Sequence, residues 1–151
     1  MSVTAERVDV QRDEEVVLRL LDLFQRMRAH WEGTCAAMGL TPAEGQALHR
    51  LDTPVPMRAM ADTLHCDASY VTQLTDRLEG AGLMERVADP TDRRVRQLRL
   101  TPKGAVTRTE LIKTSHIDSP ALAALTDAQR DELLELLRTL SDRGPGQVTC
   151  G

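Results

Sequence analysis

Aromatic side chains are nearly missing from this chain: Phe24, Trp31 and Tyr70 are the only three in 151 residues. A core without rings has to be filled by Leu, Val, Met and Ala, which suits packed helices better than a large sheet. Cysteine is scarce too. Cys35, Cys66 and Cys150 are odd in number and far apart, which excludes a disulfide framework and a zinc knuckle and leaves reduced thiols as the expectation. No apolar run approaches the roughly 20 residues of a membrane-spanning helix, and the start lacks a basic segment followed by an apolar one. A soluble, cytoplasmic chain with no membrane partner is therefore expected. Also missing are a phosphate loop, a dinucleotide fingerprint, a nucleophile elbow and paired metal-binding histidines, so no enzyme chemistry, cofactor or metal is expected.

What is present fits one domain spanning 1–151, long enough for a single core but not for two. The formal charge of −4 argues at first against a polyanionic partner. Its distribution argues otherwise. Residues 1–57 hold 6 basic and 9 acidic groups, residues 58–103 hold 8 and 7, and residues 104–151 hold 5 and 7. Within the middle segment Arg93, Arg94, Arg96, Arg99 and Lys103 follow one another with no acid among them, a basic spot on an acidic body.

Apolar residues from Val16 through Leu20, Leu23, Phe24, Met27, Trp31, Cys35 and Met38 recur at three- and four-residue steps, which predicts a long helix over 12–38 ended by Gly39. Thr41-Pro-Ala-Glu44 supplies a cap, a first-turn proline and a glutamate that reaches back, so a second helix starts there. The prolines at 54 and 56 allow only a short extended link before a third helix. Asp67 then caps a fourth, whose Val71, Leu74 and Leu78 point inward and which ends at Gly80-Ala-Gly82. Two short helices joined by so tight a turn read as a helix-turn-helix. Alternation over 83–87 and 95–100, around a polar turn holding Pro90, predicts a β-hairpin. Thr101-Pro102 opens a fifth helix, Asp118-Ser-Pro120 interrupts it, and Thr126-Asp-Ala-Gln129 caps a last one with Leu133, Leu136, Leu137 and Leu140 on one face.

The fold expected is mainly α (α+β): a winged helix-turn-helix lobe over 42–104 between long helices, 12–38 and 105–142, that form a dimerisation region. Residues 1–11 and 144–151 are expected to be flexible.

Leu78-Glu-Gly-Ala-Gly-Leu83, Glu85-Arg86, Asp89-Pro-Thr-Asp92-Arg-Arg94 and Leu98-Arg-Leu-Thr-Pro-Lys-Gly104 together resemble the core signature of the MarR family of regulators. Several fixed spacings agree at once over 42–104, whereas the flanking helices agree in layout only. The resemblance implies a homodimeric winged-helix DNA-binding regulator, most often a repressor, released from DNA by a small anionic aromatic effector.

The outward face of the fourth helix presents Ser69, Tyr70, Thr72, Gln73, Asp76 and Arg77. Gln73 is the base-reading candidate, because a glutamine bonds N6 and N7 of adenine together; Ser69 and Thr72 suit bases or phosphates, and Tyr70 a phosphate or an apolar contact. Arg93, Arg94 and Arg96 surround the wing turn. Arginine suits a narrow minor groove, and the family pattern selects Arg94 for insertion. The same pattern pairs Asp92 with Arg86 as a brace for the wing. Arg28, His30, Trp31 and Met38 on the first helix are candidates for holding the effector, although Trp31 and Met38 also sit where core residues belong.

Two other functions stay open at this point: an oxidant- or metal-sensing regulator using Cys35 or Cys66, and a winged-helix protein-interaction module without DNA binding. The effector, the operator, the regulated genes and the choice between repression and activation are not written in the sequence.

Overall fold

The computed structural model describes residues 2–117 and 120–141. Helix α1 runs Ser2–Ala37. It therefore begins ten residues before the predicted start at residue 12, and residues 2–11, expected to be flexible, continue the helix. The expectation for 144–151 lies outside the described residues. Gly39, at φ +71°, ends the turn after α1, a left-handed backbone that favours glycine.

Helix α2 (Pro42–Arg50) has the complete capping box: the Thr41 hydroxyl accepts from the Glu44 amide at 3.2 Å, and Glu44 accepts from the Thr41 amide at 2.8 Å. The proline-bounded link is more than a spacer. Val55–Pro56 form a short strand β1 that pairs with Leu98 and Gln97. Two residues carry no periodicity, so only the partner strand makes this segment β. Helix α3 (Met57–Leu64) then packs against α4 (Ala68–Gly80). The turn between them needs a left-handed residue at its start, and His65 supplies it at φ 52°. Asp67 caps α4 by accepting from the Tyr70 amide at 2.8 Å.

Strands β2 (Met84–Ala88) and β3 (Arg96–Leu100) form the antiparallel hairpin, with Arg86 opposite Leu98, and the sheet order is β1-β3-β2. Helix α5 (Pro102–Ile112) is locked onto the preceding turn. The Thr101 amide donates to the Leu83 carbonyl at 3.2 Å, its hydroxyl to that of Gly82 at 2.6 Å, and Lys103 Nζ to that of Ala81 at 2.8 Å. A π-helical turn follows at Lys113–Ile117, then α6 (Pro120–Ala123) and α7 (Asp127–Ser141). At the start of α7 the expected cap is present, with Thr126 and Gln129 exchanging backbone and side-chain bonds at 3.0 and 3.4 Å.

The core is the lobe. Leu48, Leu51, Val71, Leu74, Leu78 and Leu98 are fully buried, and Cys35 from α1 and Leu111 from α5 complete it. Helix α5 thus belongs to the lobe as much as to the dimerisation region assigned from sequence. Away from this core, Val16, Leu20, Phe24 and Met27 of α1 and Leu136, Leu137 and Leu140 of α7 are exposed.

Candidate nucleic-acid interface

The apolar stripe of α4 sets which of its residues look outward. With Val71, Leu74 and Leu78 buried, the helical period leaves Ser69, Tyr70, Thr72, Gln73, Asp76 and Arg77 exposed on the other face. The Thr72 hydroxyl already donates to the Ala68 carbonyl at 2.9 Å, while Ser69 and Gln73 have no side-chain hydrogen bond among the described residues. Arg77 is half exposed and spends one donor internally: its Nε lies 2.9 Å from Glu44 of α2, whose side chain is 10% exposed.

The wing continues this surface. Arg93, Arg94 and Arg96 are all exposed, and none pairs with a carboxylate among the described residues. Free guanidinium groups on a turn are available to an outside anion, which a guanidinium in an internal ion pair is not.

The brace expected between Asp92 and Arg86 is not formed. Arg86 turns toward α4, where it bonds Glu79 and, at 2.7 Å, Asp76. Its place in the middle of β2, opposite Leu98, keeps it far along the strand from the turn. Asp92 instead accepts from the Arg94 amide at 3.0 Å, a local bond that shapes the tip. The brace of the wing is Asp89. Its carboxylate accepts from the Thr91 amide at 2.7 Å, the Thr91 hydroxyl at 2.6 Å, the Asp92 amide at 3.1 Å and the Gln97 side chain. These donors, led by the Thr91 hydroxyl, hold the Asp89 carboxyl below its ordinary value. The sequence signal was available, since an Asp before Pro-Thr is a ready turn former.

The four effector candidates are not gathered into one place. Trp31 and Met38 pack against the lobe core, and Trp31 meets His49 edge-on with ring centroids 6.4 Å apart. His30 Nε2 lies 3.1 Å from the Thr114 carbonyl in the π-helical turn, and Arg28 pairs with Glu32 at 2.7 Å. These contacts join α1 to the lobe and to the end of α5. A different cleft, of about 270 Å³, opens between the end of α2 and α5, with Leu51, Pro54 and Leu100 among its walls and Arg99 and Arg108 at its side. Arg108 is three-quarters buried there, donating to Asp52 at 3.1 Å and to the His49 carbonyl at 3.3 Å.

Cys35 is fully buried, and burial, followed by the nearby Glu44 carboxylate, pushes its thiol up to about 11. No group of three or more His, Cys, Asp or Glu suited to a metal ion occurs among the described residues.

Comparison with known proteins agrees with this geometry. The MarR family model matches residues 40–95, the segment from the start of α2 to the end of the wing turn. Residues 40–95 thus carry a segment similar to the MarR family. It is 37% identical over 84 residues, 54% of its length, to the "Putative transcriptional regulatory protein for hcr operon" of Thauera aromatica. It is 30% identical over 100 residues, 65% of its length, to the "HTH-type transcriptional repressor MdtR" of Bacillus subtilis. The matches span 50% and 64% of those relatives' own lengths. Among solved structures, the YusO protein of Bacillus subtilis superposes with a TM-score of 0.68 at 26% identity, covering 95% of this chain and all of that one. As in MarR structures generally, long helices flank a small three-stranded winged lobe. No described helix is long and apolar enough to cross a membrane.

Proposed function

We propose that this chain is a sequence-specific DNA-binding transcription regulator of the MarR family, a cytoplasmic repressor that binds a pseudo-palindromic operator as a homodimer and is released by a small anionic effector. One observation carries the reading: the exposed polar face of α4 and the three unpaired arginines of the wing lie on one lobe, 69–77 for a major groove and 93–96 for the adjacent minor groove. Ser69, Tyr70, Thr72 and Gln73 meet the duplex at the N-terminal half of the helix. Arg77 turns its free terminal nitrogens to a phosphate while Glu44 holds its Nε. Arg94 enters the minor groove, and Arg93 and Arg96 take phosphates.

The dimer is supported by the leucines and valines of α1 and α7 that stay exposed among the described residues, such as Leu137 and Val17. For the effector, the cleft beside Arg108 is better formed than the α1 residues, with an apolar floor and a guanidinium that an outside carboxylate can take over from the exposed Asp52.

The test is binding to a duplex taken from upstream of the chain's own gene, followed by footprinting. Half-sites about one helical turn apart are expected. Arg94→Ala should weaken binding to every duplex and reduce the salt slope by about one, whereas Gln73→Ala should change which sequences bind. Absence of binding at low salt sinks the reading, and normal binding by Arg94→Ala removes the wing assignment.

A further inference from the structure

The surface offered to DNA contains a charge problem and its solution. Asp76 stands one helical turn beyond Thr72 and three residues beyond Gln73, so it shares the exposed face that carries the base-reading candidates. Its side chain is 59% exposed, and Glu79 lies on the next turn at 31%. Two carboxylates beside the residues that enter a groove repel the phosphates flanking that groove.

Arg86 answers both. It sits on β2 with 24% of its side chain exposed, and its guanidinium donates to Asp76 at 2.7 Å, to Glu79, and more weakly to the Thr72 carbonyl at 3.4 Å. Its backbone amide donates to the other Glu79 oxygen at 2.9 Å. One arginine therefore spans two turns of α4, draws both carboxylates toward the strand, and removes one of their two negative charges.

We infer that Arg86 is a positioning residue of the DNA interface, which cancels and turns aside Asp76 and Glu79 so that the polyanion can approach α4 and the wing together. The inference rests on the DNA-binding function proposed above. Arg86 does not touch DNA in this account, because both its terminal nitrogens are bonded to α4. A residue that only braced the fold would be needed whether or not the two carboxylates were charged, and that difference decides the matter.

The test is fluorescence anisotropy on a labelled duplex from upstream of the chain's own gene, with thermal unfolding of each variant as the folding control. Arg86→Gln should weaken binding on the order of tenfold near 0.1 M salt, and the deficit should shrink as salt screens the uncovered carboxylates. Adding Asp76→Asn and Glu79→Gln to Arg86→Gln should restore most of the affinity. Arg86→Lys, which keeps the charge without the fork, should fall between. Wild-type affinity in Arg86→Gln overturns the inference, and so does a folded triple variant that binds no better than Arg86→Gln. If Arg86→Gln alone fails to fold, the triple variant carries the test against the wild type. A wild-type chain that binds no duplex overturns the DNA-binding function itself, and with it this role for Arg86.

Discussion

The carboxylate of Glu44 does two jobs at once: one oxygen accepts from the Thr41 amide at 2.8 Å, and the other lies 2.9 Å from Nε of Arg77. The first bond starts α2, and the second ties α2 to the last turn of α4. A helix cap is thereby also the anchor of the helix proposed to face DNA. Glu44→Ala should remove both, at a cost of about 2 kcal/mol from a cap worth ~1 and a partly exposed pair worth at most ~1. Glu44→Gln keeps an oxygen for the cap and should cost about half as much. Urea unfolding of the two variants checks the ordering; equal losses would remove the role given to the ion pair.

Gly45 is where α1 presses on the lobe. A Cβ there would come 2.5 Å from Cys35 Sγ and 2.9 Å from Trp31 Cζ2, so Gly45→Ala should displace α1 and cost roughly 1–3 kcal/mol. Gly33, with open space around it, serves as the control and should tolerate alanine. Parallel thermal melts of the two variants check the difference.

The buried thiol of Cys35 speaks against oxidant sensing at that position. With its titration pushed up to about 11 by burial and then by Glu44, the reactive thiolate is scarce at neutral pH. Site-resolved alkylation should be far slower at Cys35 in the native chain than in urea, and peroxide should leave DNA affinity unchanged. The raised value also has a sign for stability. The neutral thiol is favoured in the folded state, so its contribution is complete below the ordinary value of 9.0 and is lost as pH rises from there through about 11.

Asp89 predicts the opposite pH behaviour in the wing. Because its folded carboxyl titrates below the ordinary 3.8, the bonds it accepts from Thr91, Asp92 and Gln97 persist above that value and are lost as pH falls through the lower folded one. Amide exchange at Thr91 and Asp92 should therefore be protected at pH 5 and lose that protection in Asp89→Ala. The same variant should weaken DNA binding without changing helix content by circular dichroism. Unaltered exchange at both amides would falsify the brace.

Ligand release is testable at Arg108. If the cleft beside α5 holds the effector, benzoate should raise the melting temperature of the wild type and lower its DNA affinity, and Arg108→Gln should lose both responses. Asp52→Asn, which frees the guanidinium of its exposed partner, should strengthen the benzoate response. A full response in Arg108→Gln moves the effector elsewhere.

Much of this architecture can be read from the residues in order, because its signals are local. The capping boxes at Thr41 and Thr126, the cap at Asp67, and the inward stripe of Val71, Leu74 and Leu78 depend on neighbours within one or two turns. So does the alternation of the hairpin. The spacings from Leu78 to Gly104 likewise carry the resemblance to the MarR family, since several short-range constraints coincide.

What the sequence alone could not determine is which distant group each charge meets. Arg86 has acids on both sides of it in the chain, and local pattern is silent on whether it reaches forward to Asp92 or back to Asp76 and Glu79. The pleat of β2 against α4 chose the latter. Val55–Pro56 became a strand only because β3 lies beside it, and Trp31 and Met38 became packing residues only because α1 lies against α2. Sequence by itself determined the winged helix-turn-helix and the face it turns outward; tertiary structure decided which arginines remain free for an outside anion, because long side chains choose partners through space.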